Sequence, residues 1–407
     1  QEETRRVLQL ASVIGRIFLY RVLAELAAAE AAAYGELALD PRLETLQHEE
    51  LIRERARLPE LEYIFKHDLT REAAYNGLLK RKRRTYHRQV AQALESLFPG
   101  RVEEQLGLLA HHWELAGDAE KAVEYLQRAG DQARMAYANE EAVEYYRRAL
   151  AFLKEREEHD RAARTLMKLG LTYHNAFQFR KAQQTYGEGF ALWQQVGRRR
   201  EAVAPDPAPH ALRTCWYELP MSLDPTAMTG QLVCSHMTDQ LFSGLVELTP
   251  EMDVVPDVAR TWEVSEGGRK YIFHLRDDAR WSDGRPVTAG DFEYAWKRVL
   301  DPTRSKDADA FYVIKNARAF HGGGIPDAAG VGVQALDPVT LAVELEEPTG
   351  YFLHLLAMDS TFPVPRHVVE VHGEAWAEVG NIVTNGPFQV EPSRREGSMT
   401  LVRNPHY

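Results

Sequence analysis

Four aspartates and a histidine crowd one short stretch, KYIFHLRDDARWSDGRPVTAGDF at Lys270–Phe292. Carboxylates beside an imidazole are what a cation site or a general acid–base pair needs. Their placement argues against both. Tyr271, Phe273 and Leu275 alternate with Ile272, His274 and Arg276, the two-residue period of a strand. Ser282-Asp-Gly-Arg-Pro286 is turn chemistry, with Gly284 supplying positive φ and Pro286 restricting the backbone at the turn's exit. Thr288 and Asp291 have capping-box spacing, and Phe292, Ala295, Trp296, Val299 and Leu300 then form an apolar helical stripe. Asp277, Asp278, Asp283 and Asp291 thus serve a strand end, a turn and a helix cap, whereas a cation needs its oxygens on one tight loop. His274 has no serine, cysteine or paired acid near it in sequence and reads as structural.

Other chemistry-bearing motifs fare similarly. KRKRR at Lys80–Arg84 could touch phosphates, but Glu72 and Glu95 lie near it and a solvated helix face is expected. His111 and His112 are adjacent, so from a helix they cannot both face one metal. Gly322–Gly324 runs into Ile-Pro, a loop and not the helix start of a phosphate-binding turn, and no GxxxxGK[ST] stretch occurs. These readings point to a binding protein, not an enzyme, with no metal and no cofactor.

Composition narrows the class further. The 407 residues exceed what one core usually holds, so several domains are expected. A hydrophobic share of 44% and a charged share of 27% are ordinary for a globular chain, and a formal charge of −11 argues against general nucleic-acid binding. Cys215 and Cys234 are too few for a disulfide framework and read as small thiols, although a single bridge between them is open. No apolar run reaches the length of about 20 residues that a membrane helix needs. The chain opens at QEETRRVLQL without Met, so it reads as an excised piece whose targeting signal could lie upstream.

The elements that must carry these residues fall into two halves. From Leu8 to Leu26 apolar residues recur at helical spacing, LETLQHEELIRER reads as a second amphipathic helix, and Leu61, Tyr63 and Phe65 suggest a short strand. DLTREAAYNGLL restarts a helix that Asp68 or Thr70 can cap. This order suits a winged-helix-like module over 1–100. Over 101–197 the stretches AGDAEKAVEYLQRAG, ANEEAVEYYRRAL and LGLTYHNAFQFRKAQQTYGEGF suggest helical hairpins. Their small residues and tyrosines are spaced as in tetratricopeptide (TPR) repeats of about 34 residues. Such a stack would present a groove to a protein partner. Residues 198–211, rich in proline, read as a linker. Through LQLASVIGRIF, EYIFKHDLTREAAYNGLL and LAHHWELAGDAEKAVEYL, the segment Leu8–Ala149 resembles the region following the NTPase module of large bacterial signalling ATPases. These are the adenylate-cyclase-associated and transcription-regulator types, and the resemblance implies a regulatory role.

The second half, 212–407, carries SLDPT, LFSGLVEL, DVVPDVARTWEVSEGGRKYIFHLRDDARWSDGRPVTAGDFEYAWKRVLDP, ALDPVTLAVELEEPTGYF and NIVTNGPFQV. It resembles the family 5 solute-binding proteins of bacterial ABC importers, and oligopeptide binders in particular. The resemblance implies a multidomain chain: an all-α part followed by an incomplete α/β lobe of the type II periplasmic-binding-protein kind. The first lobe would be 212–248 and 383–407, with a packing subdomain at 249–382 and the opposite lobe further along. It implies ligand contacts at Thr229, Gly230 and Gln231, whose backbone would pair with an extended peptide. It also implies Tyr312 as the nearest candidate for a cleft tyrosine. The familiar members tend to carry an acid where Thr229 stands, so a salt bridge to the ligand is not implied here. Peptide or another small solute would be the ligand and an ABC permease a partner, with no nucleic acid involved. The expected compartment is the cytoplasm for this chain as given, and the periplasm or extracellular space for the solute-binding half by resemblance. The function expected is solute binding fused to a helical regulatory region. The alternative is a signalling or scaffold protein acting through its repeats, with a vestigial binding lobe.

Overall fold

The computed structural model describes residues 2–34, 37–200, 220–227, 232–304, 308–391 and 399–407. Most of the expected linker, together with Cys215, lies outside these residues. The chain divides into two compact units, Gln1–Glu157 and Glu158–Tyr407.

The first unit begins with helix α1 (Glu2–Ile14), strand β1 (Ile17–Leu19) and helices α2 (Tyr20–Tyr34) and α3 (Leu39–His48). Strands β2 (Ile52–Ala56) and β3 (Glu62–Phe65) come next and complete an antiparallel sheet in the order β1-β3-β2. The amphipathic pattern predicts a second helix running on through Ile52 and Arg53. The helix instead stops at His48, Glu50 takes a positive φ of 56°, and Ile52 turns inward as the first residue of β2. Phe18 likewise sits on β1 and not on a helix, stacked near Tyr63 and Phe65. Helix α4 (Asp68–Asn76) starts where expected, but His67 holds the cap position without a side-chain bond, and Asp68 pairs with Arg71. Helices α5 (Lys80–Leu97), α6 (Leu106–Ala116), α7 (Ala119–Met135) and α8 (Asn139–Glu155) finish the unit. One apolar core runs from Val7 through Trp113 to Ala149.

The second unit opens with α9 (His159–Asn175) and α10 (Phe179–Arg200). Helices α7 to α10 begin at Ala119, Asn139, His159 and Phe179, 20 residues apart. A helix pair therefore spans 40 residues, not the 34 expected. Each helix is followed by a residue with positive φ, Tyr137, Glu157 and Phe177 after α7, α8 and α9, as Gly117 is after α6. Within two of the pairs a glycine admits a tyrosine. A Cβ on Gly130 would meet the Tyr146 ring at 2.6 Å, and one on Gly170 would meet Tyr186 at 2.5 Å.

After α11 (Leu232–Leu241), a short ribbon of β4 (Val246–Leu248) and β5 (Val254–Pro256) leads into a four-stranded antiparallel sheet. Its strands are β6 (Ala259–Ser265), β7 (Lys270–Leu275), β8 (Val333–Asp337) and β9 (Thr340–Glu344), ordered β6-β7-β9-β8. The registers Trp262↔Phe273, Tyr271↔Val343 and Phe273↔Leu341 put these apolar residues on one face, and all are buried. Helix α12 (Ala289–Val299) buries its predicted stripe, and the Asp291 carboxylate accepts bonds from the N–H and O–H of Thr288. Short helices α13 (Ala317–His321), α14 (Phe352–Leu355) and α15 (Arg366–His372) precede a return ribbon of β10 (Phe388–Glu391) and β11 (Thr400–Arg403).

Both edges of the large sheet are engaged by helix side chains. Glu293 on α12 accepts from the Ala335 N–H on β8, and Gln183 on α10 accepts from the Val264 N–H on β6. Unpaired edge groups would otherwise invite another strand.

Candidate functional site

The residues expected to meet ligand come just after the SLDPT segment, and its anchoring is the best-defined polar feature of the second unit. Ser222 accepts from the Asp224 N–H, and Asp224 Oδ1 accepts from both the N–H and O–H of Thr226, a self-closed turn. The other oxygen, Oδ2, accepts from Arg298 Nη1 on α12 at 2.7 Å and from the Trp376 indole N–H at 3.1 Å. Arg298 also donates to the Thr226 hydroxyl, and its second nitrogen lies 3.6 Å from Glu374. Arg298 and Asp224 are 5% and 8% exposed, so this is a buried ion pair whose carboxylate has several donors. Burying such a pair is tolerable only with that degree of satisfaction.

A second clamp holds the chain downstream of α11. Asn385 Oδ1 accepts from the Ser243 N–H and its Nδ2 donates to the Ser243 carbonyl. The Gly386 N–H donates to the Leu241 carbonyl, and a Cβ on Gly386 would come within 2.6 Å of Leu241 backbone. Asn404 then donates to the Gly386 carbonyl, fastening the return ribbon to the same point. The NIVTNGPF and LFSGLVEL stretches, far apart in sequence, are thus joined backbone to backbone.

In chain order the predicted contact segment falls between Thr226 of the first clamp and Leu241 of the second. Thr229, Gly230 and Gln231 fall outside the described residues, so what is defined is the frame at either end. Tyr312 sits in a single turn, Asp309–Val313, half-buried. Its hydroxyl bonds His321 Nδ1 at 2.8 Å, and the Arg318 guanidinium lies 4.8 Å from its ring centre.

The motifs set aside on sequence grounds can be placed. Asp278 pairs with Arg276, Asp283 with His367, and Asp291 with its cap, so the acids do not converge. His274 has a partner that the sequence did not reveal: Glu263, brought alongside by the β6–β7 pairing, accepts from it at 2.8 Å. Among the described residues no cluster of three histidine, cysteine or acidic side chains is arranged to hold a metal. Cys234 is buried on α11. No helix among the described residues is long and apolar enough to cross a membrane.

In the first unit the adjacent histidines diverge. His112 turns inward and its Nδ1 bonds His87 Nδ1 at 2.9 Å, while Tyr75 bonds the other nitrogen of His87. Burial holds His87 down at about 4, with help from His111 and Arg83, and holds His112 at about 3. In the second unit His174 bridges the Gly350 carbonyl and the Tyr271 hydroxyl, and burial lowers it to about 4. All three are neutral packing groups.

Residues 253–407 match the family model described as bacterial extracellular solute-binding proteins, family 5, middle. This portion of the chain is therefore similar to a family of binding proteins that lack catalytic activity. Among curated relatives, a probable deoxycholate-binding periplasmic protein of Escherichia coli is 39% identical over 191 residues, covering 46% of this chain and 35% of that protein. The periplasmic oligopeptide-binding protein of Salmonella typhimurium is 39% identical over 189 residues, covering 46% and 34%. The periplasmic murein peptide-binding protein of E. coli is 39% identical over 192 residues, covering 46% and 35%. The chain spans about a third of the length of these relatives.

The Arg298–Asp224–Trp376 anchor was not legible in the sequence. Arg298 and Trp376 lie 74 and 152 positions from Asp224, and nothing local marks an arginine on a helix as the partner of a distant turn.

Proposed function

We propose that residues 212–407 supply one side of a site for an oligopeptide of the kind carried by ABC importers, fused to a helical region that reports on it. The observation that carries this reading is the identity of 39% to two peptide-binding relatives across about 190 residues. The deoxycholate-binding relative makes a non-peptide solute the competing ligand. Thr229, Gly230 and Gln231 are assigned to the ligand by the resemblance to the family 5 proteins, whose contacts follow the SLDP segment. Their backbone groups would pair with an extended peptide in strand-like fashion. Tyr312 is assigned a flanking role.

The fused arrangement is supported by the packing of α9 and α10. Tyr186 and Phe190 stand edge-on to Trp262 with ring centres 5.2 and 5.0 Å away, His174 bonds Tyr271, and Lys168 pairs with Asp253. The last hairpin is therefore part of the fold that carries the solute-binding sequence, and a change in the sheet would reach it directly. The order α1-β1-α2-α3-β2-β3 supports the winged-helix-like reading of 1–100, and the 20-residue helical cadence supports a repeat stack over 101–197. A groove of that stack is proposed to meet a protein partner. The naming of relatives as periplasmic supports that compartment, or the cell exterior, for the solute-binding portion.

The reading is tested by hydrogen exchange on a completed chain, in which the part of the Salmonella relative that follows its match to this chain is joined after Tyr407. Saturating tripeptide should slow exchange at Gly230–Gln231 and also in α9–α10. Protection confined to the appended portion would contradict both the site and the relay.

A further inference from the structure

Six cations occur within the nine residues Lys80–Arg88 of an otherwise acidic chain, and the fold sorts them into two sets. Two are committed to structure. Lys82 lies 3.6 Å from the buried carboxylate of Glu30, and Arg83 donates to the carbonyls of Leu78 and Asn76 while stacking on Tyr75. The other four, Lys80, Arg81, Arg84 and Arg88, line an open pocket of about 510 Å³ together with Thr85. The far wall is the end of α6 at Ala116–Gly117, where Arg84 lies across Gly117. Arg88 is 3.8 Å from Asp118, whereas Lys80, Arg81 and Arg84 have no carboxylate partner among the described residues.

This arrangement works against the stability of the helix that carries it. Lys80, Arg84 and Arg88 are spaced i, i+4, i+8 and repel one another on adjacent turns. Lys80 and Arg81 sit in the first turn of an 18-residue helix, the end whose dipole disfavours positive charge. That turn also lacks a side-chain cap. One bound anion would relieve the repulsion and complement the dipole together.

We propose that this pocket binds a small anion carrying two or three linked phosphates. The cationic stripe runs eight residues, about 12 Å along the helix axis, which is longer than one phosphate can span. The volume is that of a small-molecule site. The Asp118 carboxylate at the Arg88 end interrupts the track that a longer polyanion would need. Without a GxxxxGK[ST] loop, the site holds its ligand and does not hydrolyse it.

The test is calorimetric titration of the 407-residue chain with orthophosphate, pyrophosphate, tripolyphosphate, a nucleoside triphosphate and a single-stranded oligonucleotide, at about 50 and 200 mM salt. Tripolyphosphate should bind at least tenfold more tightly than orthophosphate and weaken as salt rises. R84Q combined with R88Q should cost at least tenfold, whereas R128Q, at a distant surface arginine, should change nothing. Nucleoside triphosphate binding at least tenfold more tightly than tripolyphosphate would identify a nucleotide, and equal binding would identify the phosphate chain itself. The proposal is overturned if no phosphate binds, if R84Q/R88Q with an unchanged melting profile binds as well as the parent, or if the oligonucleotide binds more tightly than either triphosphate.

Discussion

Among single residues, one buried ion pair matters most to the second unit. Arg298→Met leaves the Asp224 carboxylate buried against Trp376 with its main partner gone, and should cost about 3–5 kcal/mol. The check is chemical denaturation followed by tryptophan fluorescence. Asp224→Asn should also destabilise, because its amide nitrogen would face donors at one of the two oxygen positions and Arg298 would lose its counter-charge. The buried histidines set the acid limb of stability. His87 and His112 are depressed to about 4 and 3, so below the ordinary value near 6.5 the unfolded chain takes up protons that the folded one refuses. Their contribution is whole above about pH 6.5 and is lost progressively as pH falls toward 4. The melting temperature of the first unit should therefore drop between pH 7 and pH 4.5, and H112Q should flatten that drop. Residue types alone showed which acids were bystanders. They could not show that His274 has Glu263 or that Arg298 has Asp224, because those partners are set by strand register and helix docking.

Elements were legible where local chemistry repeats. The strand, turn and helix of Lys270–Val299 lie where alternation, Gly284 and the Thr288–Asp291 cap placed them, and Gly284 has a φ of 87°. The helical cadence was legible in kind and misjudged in length. Seventeen-residue helices α7, α8 and α9 closed by positive-φ turns give 20 residues per helix, and those turn positions are filled by Tyr137, Glu157 and Phe177 instead of the glycine that would announce them. Tyr137 is 83% exposed, so Y137G removes a left-handed strain and few contacts, and should raise stability by about 0.5–1 kcal/mol in a thermal melt. Gly170→Ala acts oppositely. Its methyl would enter the Tyr186 ring, and overpacking of that kind costs about 1–3 kcal/mol. Strand β2 escaped notice because Arg53-Glu-Arg55 looks like a charged helix face, and only its pairing with β3 makes it a strand.

Across the whole molecule, a sequence similar to the family 5 solute-binding proteins is joined to helices that pack on its sheet. Trp262, 1% exposed, sits where the two meet, so W262A should cost about 3–5 kcal/mol and lower the unfolding of α9–α10 together with that of the sheet. Separate transitions for hairpin and sheet would refute their unity. Everything proposed for the second half rests on residues 212–407 forming one side of a peptide site. The decisive measurement is calorimetric titration of a pool of tri- to pentapeptides into the 407-residue chain and into the completed chain described above. Micromolar binding is expected for the completed chain, lost on substituting Gly230→Pro, with no measurable binding by the 407 residues alone. A folded completed chain that binds no peptide, or micromolar binding by the 407 residues alone, would show that the site is not built this way.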